Sequence, residues 1–262
     1  MRLRLSGFAL LLAGAFLTGC ATTPEEATHA RAGVDRISPV RAAEVNTRLG
    51  LGYLERGQMQ IAMEKLETAL RHDPQHTPAH LALALIHERL GNMRSAERHY
   101  RQASRLAPNE GATQNAYAVF LCRQGDFDTA QAHFERAFAD PFYDTPEVAY
   151  TNAGTCARRN GRLDQAEELL REAIELNPDY SDGLFQLSEL YLELDDPFRA
   201  RAFLQRFESV AEADEVTLML GYRVETRTGN LEQAERYANR LESQFPNSTQ
   251  ARELRSLRRD DH

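Results

Sequence analysis

The stretch LGLGYLERGQMQIAMEKLETALRHDP, Leu49 to Pro74, decides the fold. It reads as two short amphipathic helices hinged at Gly57, and it returns in altered form five more times along the chain. Ala62, Ala96, Ala130, Ala166, Ala200 and Ala234 set the register, and four of their five intervals are 34 residues. The interval from Ala130 to Ala166 is two residues longer and contains Pro141 and Pro146. Five residues ahead of five of these alanines stands a glycine, Gly57, Gly91, Gly125, Gly161 or Gly229. Glycine there lets the backbone take a positive φ and reverse direction. Seven residues past each alanine come Ala69, Ala103, Ala137 and Ala173, then Phe207 and Leu241. Small residues at these two positions let the helices of a pair approach closely. Leu66, Tyr100, Phe134, Leu170 and Leu204 each precede the second position by three. Pro74, Pro108, Pro178 and Pro246 stop the second helix, because proline lacks the N–H that would continue it.

This pattern resembles the tetratricopeptide repeat, whose period is 34 residues, and it covers roughly residues 43 to 248. The predicted fold class is all-α: a right-handed superhelical solenoid of six helix-turn-helix repeats, residues 43–76, 77–110, 111–146, 147–180, 181–214 and 215–248. Residues 249–262 are predicted to be a capping helix and tail. In that helix Ala251, Leu254 and Leu257 form one apolar stripe that covers the exposed end of the last pair. Repeat five is expected to be the least regular. Asp195 replaces its glycine, Pro197 starts its second helix and no proline closes it.

The chain has 262 residues, 42% of them hydrophobic and 27% charged, an ordinary composition for a folded domain. Its formal charge of −8 argues against nucleic acid as a partner, which would call for a basic stripe. The first 19 residues read as a signal peptide. Arg2 and Arg4 precede the apolar run Phe8–Leu17, which is too short to span a bilayer. The run ends in Leu17-Thr18-Gly19-Cys20, which resembles a bacterial lipobox. That resemblance implies acylation of Cys20 and removal of the preceding residues, which takes the formal charge from −8 to −10. An ordinary signal peptide that happens to contain a cysteine is the alternative. Ala21, rather than aspartate, follows the cysteine, and by the same resemblance this implies an anchor on the periplasmic face of the outer membrane. Residues 20–42 then read as a lipidated tether, interrupted by Thr22, Thr23, Pro24, Ser38 and Pro39.

Cys122 and Cys156 fall in the first helices of repeats three and four, which stack side by side. In an oxidising compartment they are expected to form a disulfide across the longest inter-repeat connection; two buried free thiols acting as small hydrophobes are the alternative. No catalytic motif is legible. His72, His76 and His80 are spaced four apart, but Pro74 and Pro78 break the helix that would align them on a metal. Glu167-Glu168 reads as part of a solvated helix face. With no catalytic constellation, the sequence points to a non-enzymatic protein with no cofactor, no metal and no small-molecule substrate.

In tetratricopeptide proteins the first helices line a concave wall, at about the fifth, ninth, twelfth and thirteenth positions of each repeat. In repeat one these are Thr47, Leu51, Leu54 and Glu55; in repeat two, Leu81, Leu85, Glu88 and Arg89; in repeat four, Thr151, Thr155, Arg158 and Arg159. Leu51, Leu54, Leu81 and Leu85, with Glu88 and Arg89, are the candidate partner groove, a seat for an apolar peptide. The other reading has these leucines packed against the tether or a neighbouring helix. Arg158 and Arg159 offer either a contact for an acidic partner or a solvated face.

The order of parts resembles the type IV pilus biogenesis/stability lipoproteins, the PilF/PilW family. The carrying residues are Leu49 to Leu54, Asn115-Ala116-Tyr117, Phe120-Leu121-Cys122, Asp140-Pro141-Phe142-Tyr143, Pro146-Glu147 and Asn152-Ala153-Gly154 with Cys156. The family implies a pilotin that binds secretin subunits of the pilus in the periplasm and promotes their assembly in the outer membrane, itself held there by lipid on Cys20. A scaffold for other envelope or cell-wall assembly factors, equally built of repeats and anchored in the outer membrane, is the alternative function.

Overall fold

The structure, a computed structural model, describes residues 38–260. The expected signal peptide, Cys20, the part of the expected tether up to residue 37 and the last two residues lie outside the described residues. Among the described residues there are thirteen α-helices and no strand. The six pairs are α1 (Pro39–Glu55) with α2 (Met59–His72), α3 (Thr77–Arg89) with α4 (Met93–Leu106), and α5 (Gly111–Gln124) with α6 (Phe127–Phe138). They continue with α7 (Pro146–Arg159) and α8 (Leu163–Leu176), α9 (Ser181–Glu193) and α10 (Pro197–Val210), and α11 (Glu215–Arg227) and α12 (Leu231–Gln244); α13 (Thr249–Asp260) closes the stack. Each helix packs chiefly on its own partner and then on the next pair, so the architecture is a solenoid.

The turn inside each pair follows from its glycine. Gly57, Gly91, Gly125, Gly161 and Gly229 all take φ between +71° and +83°. Asp195 does the same work in repeat five at φ +60°, in a region that costs a side-chain-bearing residue of order 1 kcal/mol. Its carboxylate accepts from Arg227 of the following repeat. Asp196 then caps α10 by accepting from the Arg199 N–H at 3.0 Å, and Pro197 occupies the first turn, where its missing N–H does no harm. Repeat five therefore has helices as long as its neighbours', and its irregularity lies in its connections: the strained Asp195, and the 211–214 link, which lacks the backbone turn bond that follows the other second helices.

The register alanines lie on the seam of each pair. Ala62, Ala96, Ala130, Ala166 and Ala200 are fully buried, as are Ala69, Ala103, Ala137 and Ala173. Opposite them the first helix also carries a small residue. A Cβ added at Gly50 would meet Leu66 Cγ at 2.7 Å and the Ala62 carbonyl at 3.2 Å; one at Gly154 would meet Leu170 Cγ at 2.7 Å. In repeat five the corresponding Ser188 hydroxyl donates to the Ala200 carbonyl at 2.9 Å. The core divides into three stretches along the stack. One spans α1 to α3 around Leu66, Leu83 and Ile86; a second spans α3 to α7 around Tyr100, Phe120 and Phe134; a third runs from α7 to α13 around Leu170, Tyr191 and Leu218. Leu169 packs on both the second and the third.

Two boundaries differ from the sequence reading. Residues 39–42, assigned to the tether, are helical, because Pro39 sits at the start of α1 with its φ already set for a helix. In α13, Ala251 and Leu254 are fully buried, but Leu257 is 40% exposed, so the capping stripe is two residues deep.

Gly50 and Gly52 share α1 but not an environment, since nothing lies within 4 Å of a Cβ added at Gly52. Gly50→Ala is expected to destabilise by about 1–3 kcal/mol through overpacking, and Gly52→Ala to stabilise by about 0.5–1 kcal/mol through backbone entropy. Denaturant unfolding of the two variants checks the opposite signs.

Candidate partner-binding wall

Successive first helices, α1, α3, α5, α7, α9 and α11, stand side by side and form one wall of the solenoid. The register fixes which residues line up along it. Leu51, Leu85, Val119, Thr155, Glu189 and Arg223 occupy the same position of six consecutive repeats. The row is apolar over its first three members and polar over its last three. Leu51 is 41% exposed, while Leu85 and Val119 are half-buried.

The candidate groove is narrower than its six residues suggested. Leu54 is only 8% exposed and belongs to the first core stretch with Leu66 and Leu83, so it is a packing residue and not part of a docking surface. It lies three residues beyond Leu51, which turns it off the wall and toward α2 and α3. Leu81 is half-buried against the second core stretch, and Leu85 against the first. Glu88 is spent inside the protein. Its carboxylate accepts from Arg123 Nη1 at 2.9 Å and from the Tyr100 hydroxyl at 3.1 Å, and burial with this neighbouring charge pushes the Tyr100 phenol well up. Arg89 is exposed. Val119 joins the groove, and the 34-residue step from Leu85 was the signal that finds it.

Similar cross-links recur along the wall. Cys122 of α5 and Cys156 of α7 form a disulfide with Cα atoms 5.8 Å apart. Arg158 of α7 donates to Glu189 of α9 at 2.7 Å, which occupies the cation that sequence reading offered to an acidic partner. Arg223 of α11 pairs with Glu253 of α13. Off the wall, Glu167 is likewise engaged rather than simply solvated. The Tyr191 hydroxyl donates to it at 2.6 Å, and this bond, with Arg171, holds its carboxyl below the usual range.

The two-residue insertion between α6 and α7 is folded back on the wall. The Asp140 carboxylate accepts from the N–H groups of Gly111, at the start of α5, and Phe142, at 2.7 and 2.9 Å. These bonds hold its carboxyl below the usual range. The Tyr143 ring lies so close over Gly111 that any Cβ there would come within 2.7 Å of it. Its hydroxyl accepts from Asn115 at 3.1 Å, and Asn115 accepts from Asn152 at 3.2 Å. Phe142 at the tip is 88% exposed. The motifs Asp140–Tyr143, Asn115, Asn152 and the two cysteines, scattered in sequence, thus meet at the junction of repeats three and four.

Models described as tetratricopeptide repeat match residues 53–119 and 157–214, and a second such model matches 121–175. The chain belongs to the tetratricopeptide repeat family. Tetratricopeptide repeats form a protein-interaction scaffold, which accords with a wall built for contacts. The chain is homologous to the type IV pilus assembly protein PilF of Pseudomonas aeruginosa, 26% identical over 241 residues that span 92% of this chain and 94% of that protein. An uncharacterised protein of Haemophilus influenzae is 32% identical over 131 residues, 50% of this chain and 73% of its own length. The crystal structure of PilW, described as a widely conserved type IV pilus biogenesis factor, superposes with a TM-score of 0.76 at 27% identity, covering 81% of this chain and 97% of PilW. The structure of Pseudomonas aeruginosa PilF superposes at 0.72 and 25% identity, covering 83% and 98%.

Among the described residues no group of three or more His, Cys, Asp or Glu could hold a metal ion. His72 ends α2, His76 precedes α3, and His80 turns instead toward His99. No described helix is long and apolar enough to cross a membrane.

The disulfide closes a separation of 34 residues. Loop entropy for that span corresponds to about 3–4 kcal/mol. Cys122→Ala/Cys156→Ala is expected to lower unfolding stability by that amount. Addition of reductant is expected to destabilise the parent equally and leave the double variant unaffected.

Proposed function

We infer that the chain is a pilotin of a type IV pilus system: a lipoprotein of the outer membrane that binds secretin subunits and promotes their assembly into the pilus pore. The observation that carries the pilus assignment is similarity to PilF along nearly the whole of both chains, joined to the fold shared with PilW. The Leu17–Cys20 lipobox supports the anchor. Two or more acyl chains on Cys20, each methylene contributing about 0.8 kcal/mol, make membrane attachment stable. The apolar stretch of the wall, Leu51, Leu81, Leu85 and Val119, supports a client segment that brings its own apolar side chains. Covering such a patch removes it from water, at about 25 cal/mol per Å². Mechanism is then binding plus address: the wall holds the subunit and the lipid fixes where it is delivered.

Pull-down from membranes with the lipidated chain tests the client. The parent is expected to recover the secretin, and Leu51→Glu/Leu85→Glu to recover at least about tenfold less, the equivalent of 1.4 kcal/mol. Equal recovery refutes the groove, and absence of secretin in both refutes the pilotin reading. Separately, Cys20→Ala is expected to move the chain from the membrane fraction to the soluble fraction, read by fractionation and by the intact mass of the mature protein.

A further inference from the structure

Repeat two holds three histidines, with His99 in contact with both His80 and His87. His80 and His87 lie on α3 and His99 on α4. The His80 and His99 rings are 5.2 Å apart at 41°, and the His87 and His99 rings stack at 5.5 Å and 12°. His80 Nε2 lies 3.1 Å from the Pro74 carbonyl, an acceptor only, so Nε2 carries the hydrogen. Neutral His80 then has a bare Nδ1, and His99 Nδ1, 2.9 Å away, must donate to it. This chain of bonds ties α4 to α3, and α3 to the corner that follows α2. His87 Nδ1 is buried without a partner.

We propose that the His80–His87–His99 cluster is an acid-operated latch: neutral, it locks α3 to α4, and protonated, it lets the two helices part and loosens the part of the apolar wall that α3 carries, while His80 Nε2 keeps its bond to the Pro74 carbonyl. The His80–His99 pair can hold one added proton and keep its hydrogen bond. A second puts two N–H groups face to face at a spacing that suits only a donor and an acceptor. A charged His87 would stack directly on the same ring.

The surroundings favour the neutral state. Facing the cluster are Glu67 from α2, His76 from the corner, with Asp73 3.9 Å from it, and Arg98 from α4. Glu67 is the one acid that favours a charge on His87, against Arg98; His76 opposes a charge on His80, and His80, His87 and Arg98 oppose one on His99. Burial is the largest cause at all three rings; it lowers His80, against the Pro74 carbonyl, which favours the charged form, it lowers His87, and with His80, His87 and Arg98 alongside it takes His99 to about 4. A base depressed when folded binds its proton better once released. The latch is therefore fully closed above about pH 6.5 and weakens as pH falls toward 4. His99 alone favours the released form up to roughly thirtyfold at pH 5. His133 in α6 is also buried, but it donates from Nδ1 to Gln114 at 2.8 Å and keeps that bond when its other nitrogen is protonated.

Hydrogen–deuterium exchange on the full mature chain at pH 7.5 and 5.0, expressed as protection factors, tests the latch. Protection in α3 and α4 is expected to fall at least tenfold at pH 5.0 while α8 to α11 change less than twofold. His99→Gln, which keeps a neutral N–H for His80, is expected to remove most of that fall, and His80→Gln/His87→Gln/His99→Gln all of it. If the triple variant is not folded at pH 7.5, His99→Gln decides alone. A uniform loss of protection along the chain, no loss in α3 and α4, or an unchanged fall in His99→Gln overturns the proposal. Because the readout needs no client, its failure leaves the pilotin reading untouched, and the pull-down tests that reading without reference to pH.

Discussion

Everything in this molecule depends on how near two helices of a pair can come to each other. The seam of the first four pairs is lined by residues with one side-chain carbon or none: the fully buried Ala62 and Ala69, Ala96 and Ala103, Ala130 and Ala137, and Ala166 and Ala173, with Gly50 against Ala62 and Gly154 against Ala166. At that separation Leu66 and Leu170 lie directly over the glycine backbone, with no room for a side chain between them. A single pair still buries too little to stand alone, so each one leans on the next. The three core stretches, two of them joined at Leu169, record that dependence.

Neighbouring repeats are fixed to one another by cross-links on the first-helix wall as well as by apolar contact. Glu88 with Arg123, Cys122 with Cys156, and Arg158 with Glu189 each join one first helix to the next, and Arg223 with Glu253 joins the last of them to α13. The disulfide falls where the spacing is irregular. There the extra residues are packed back by Asp140 on the start of α5 and by Tyr143 on Gly111 and Asn115. These commitments remove most charges of the wall from the list of groups available to a partner. The apolar side chains left on the wall, Leu51, Leu81, Leu85 and Val119, lie toward its N-terminal end.

The fold was legible because it is local. A 34-residue period, a glycine at each hinge and a proline after most second helices specify helix pairs with no information from distant residues. The site was legible only in part. Register placed Leu51, Leu81 and Leu85 on the first helices and could have placed Val119. It could not tell that Leu54 turns into the core, that Glu88 and Arg158 are already paired, or that Glu167 takes the Tyr191 hydroxyl. Each of those outcomes is settled by a side chain 24 to 35 residues away or by the facing helix.

By itself, then, the amino-acid order determined which segments become helices, where each pair turns, and that pairs stack in series, since these follow from periodicity and backbone freedom within a few residues. Even after the strained turn at Asp195 the next helix has its full length, because local caps at Asp196 and Pro197 start it. Only the tertiary structure decided which polar groups are spent and which apolar ones are left over, and it alone gathered His80, His87 and His99 into one cluster. The physical reason is that hydrogen bonding and burial belong to pairs of residues brought together by packing, and their spacing along the chain carries no record of whether the partner is there.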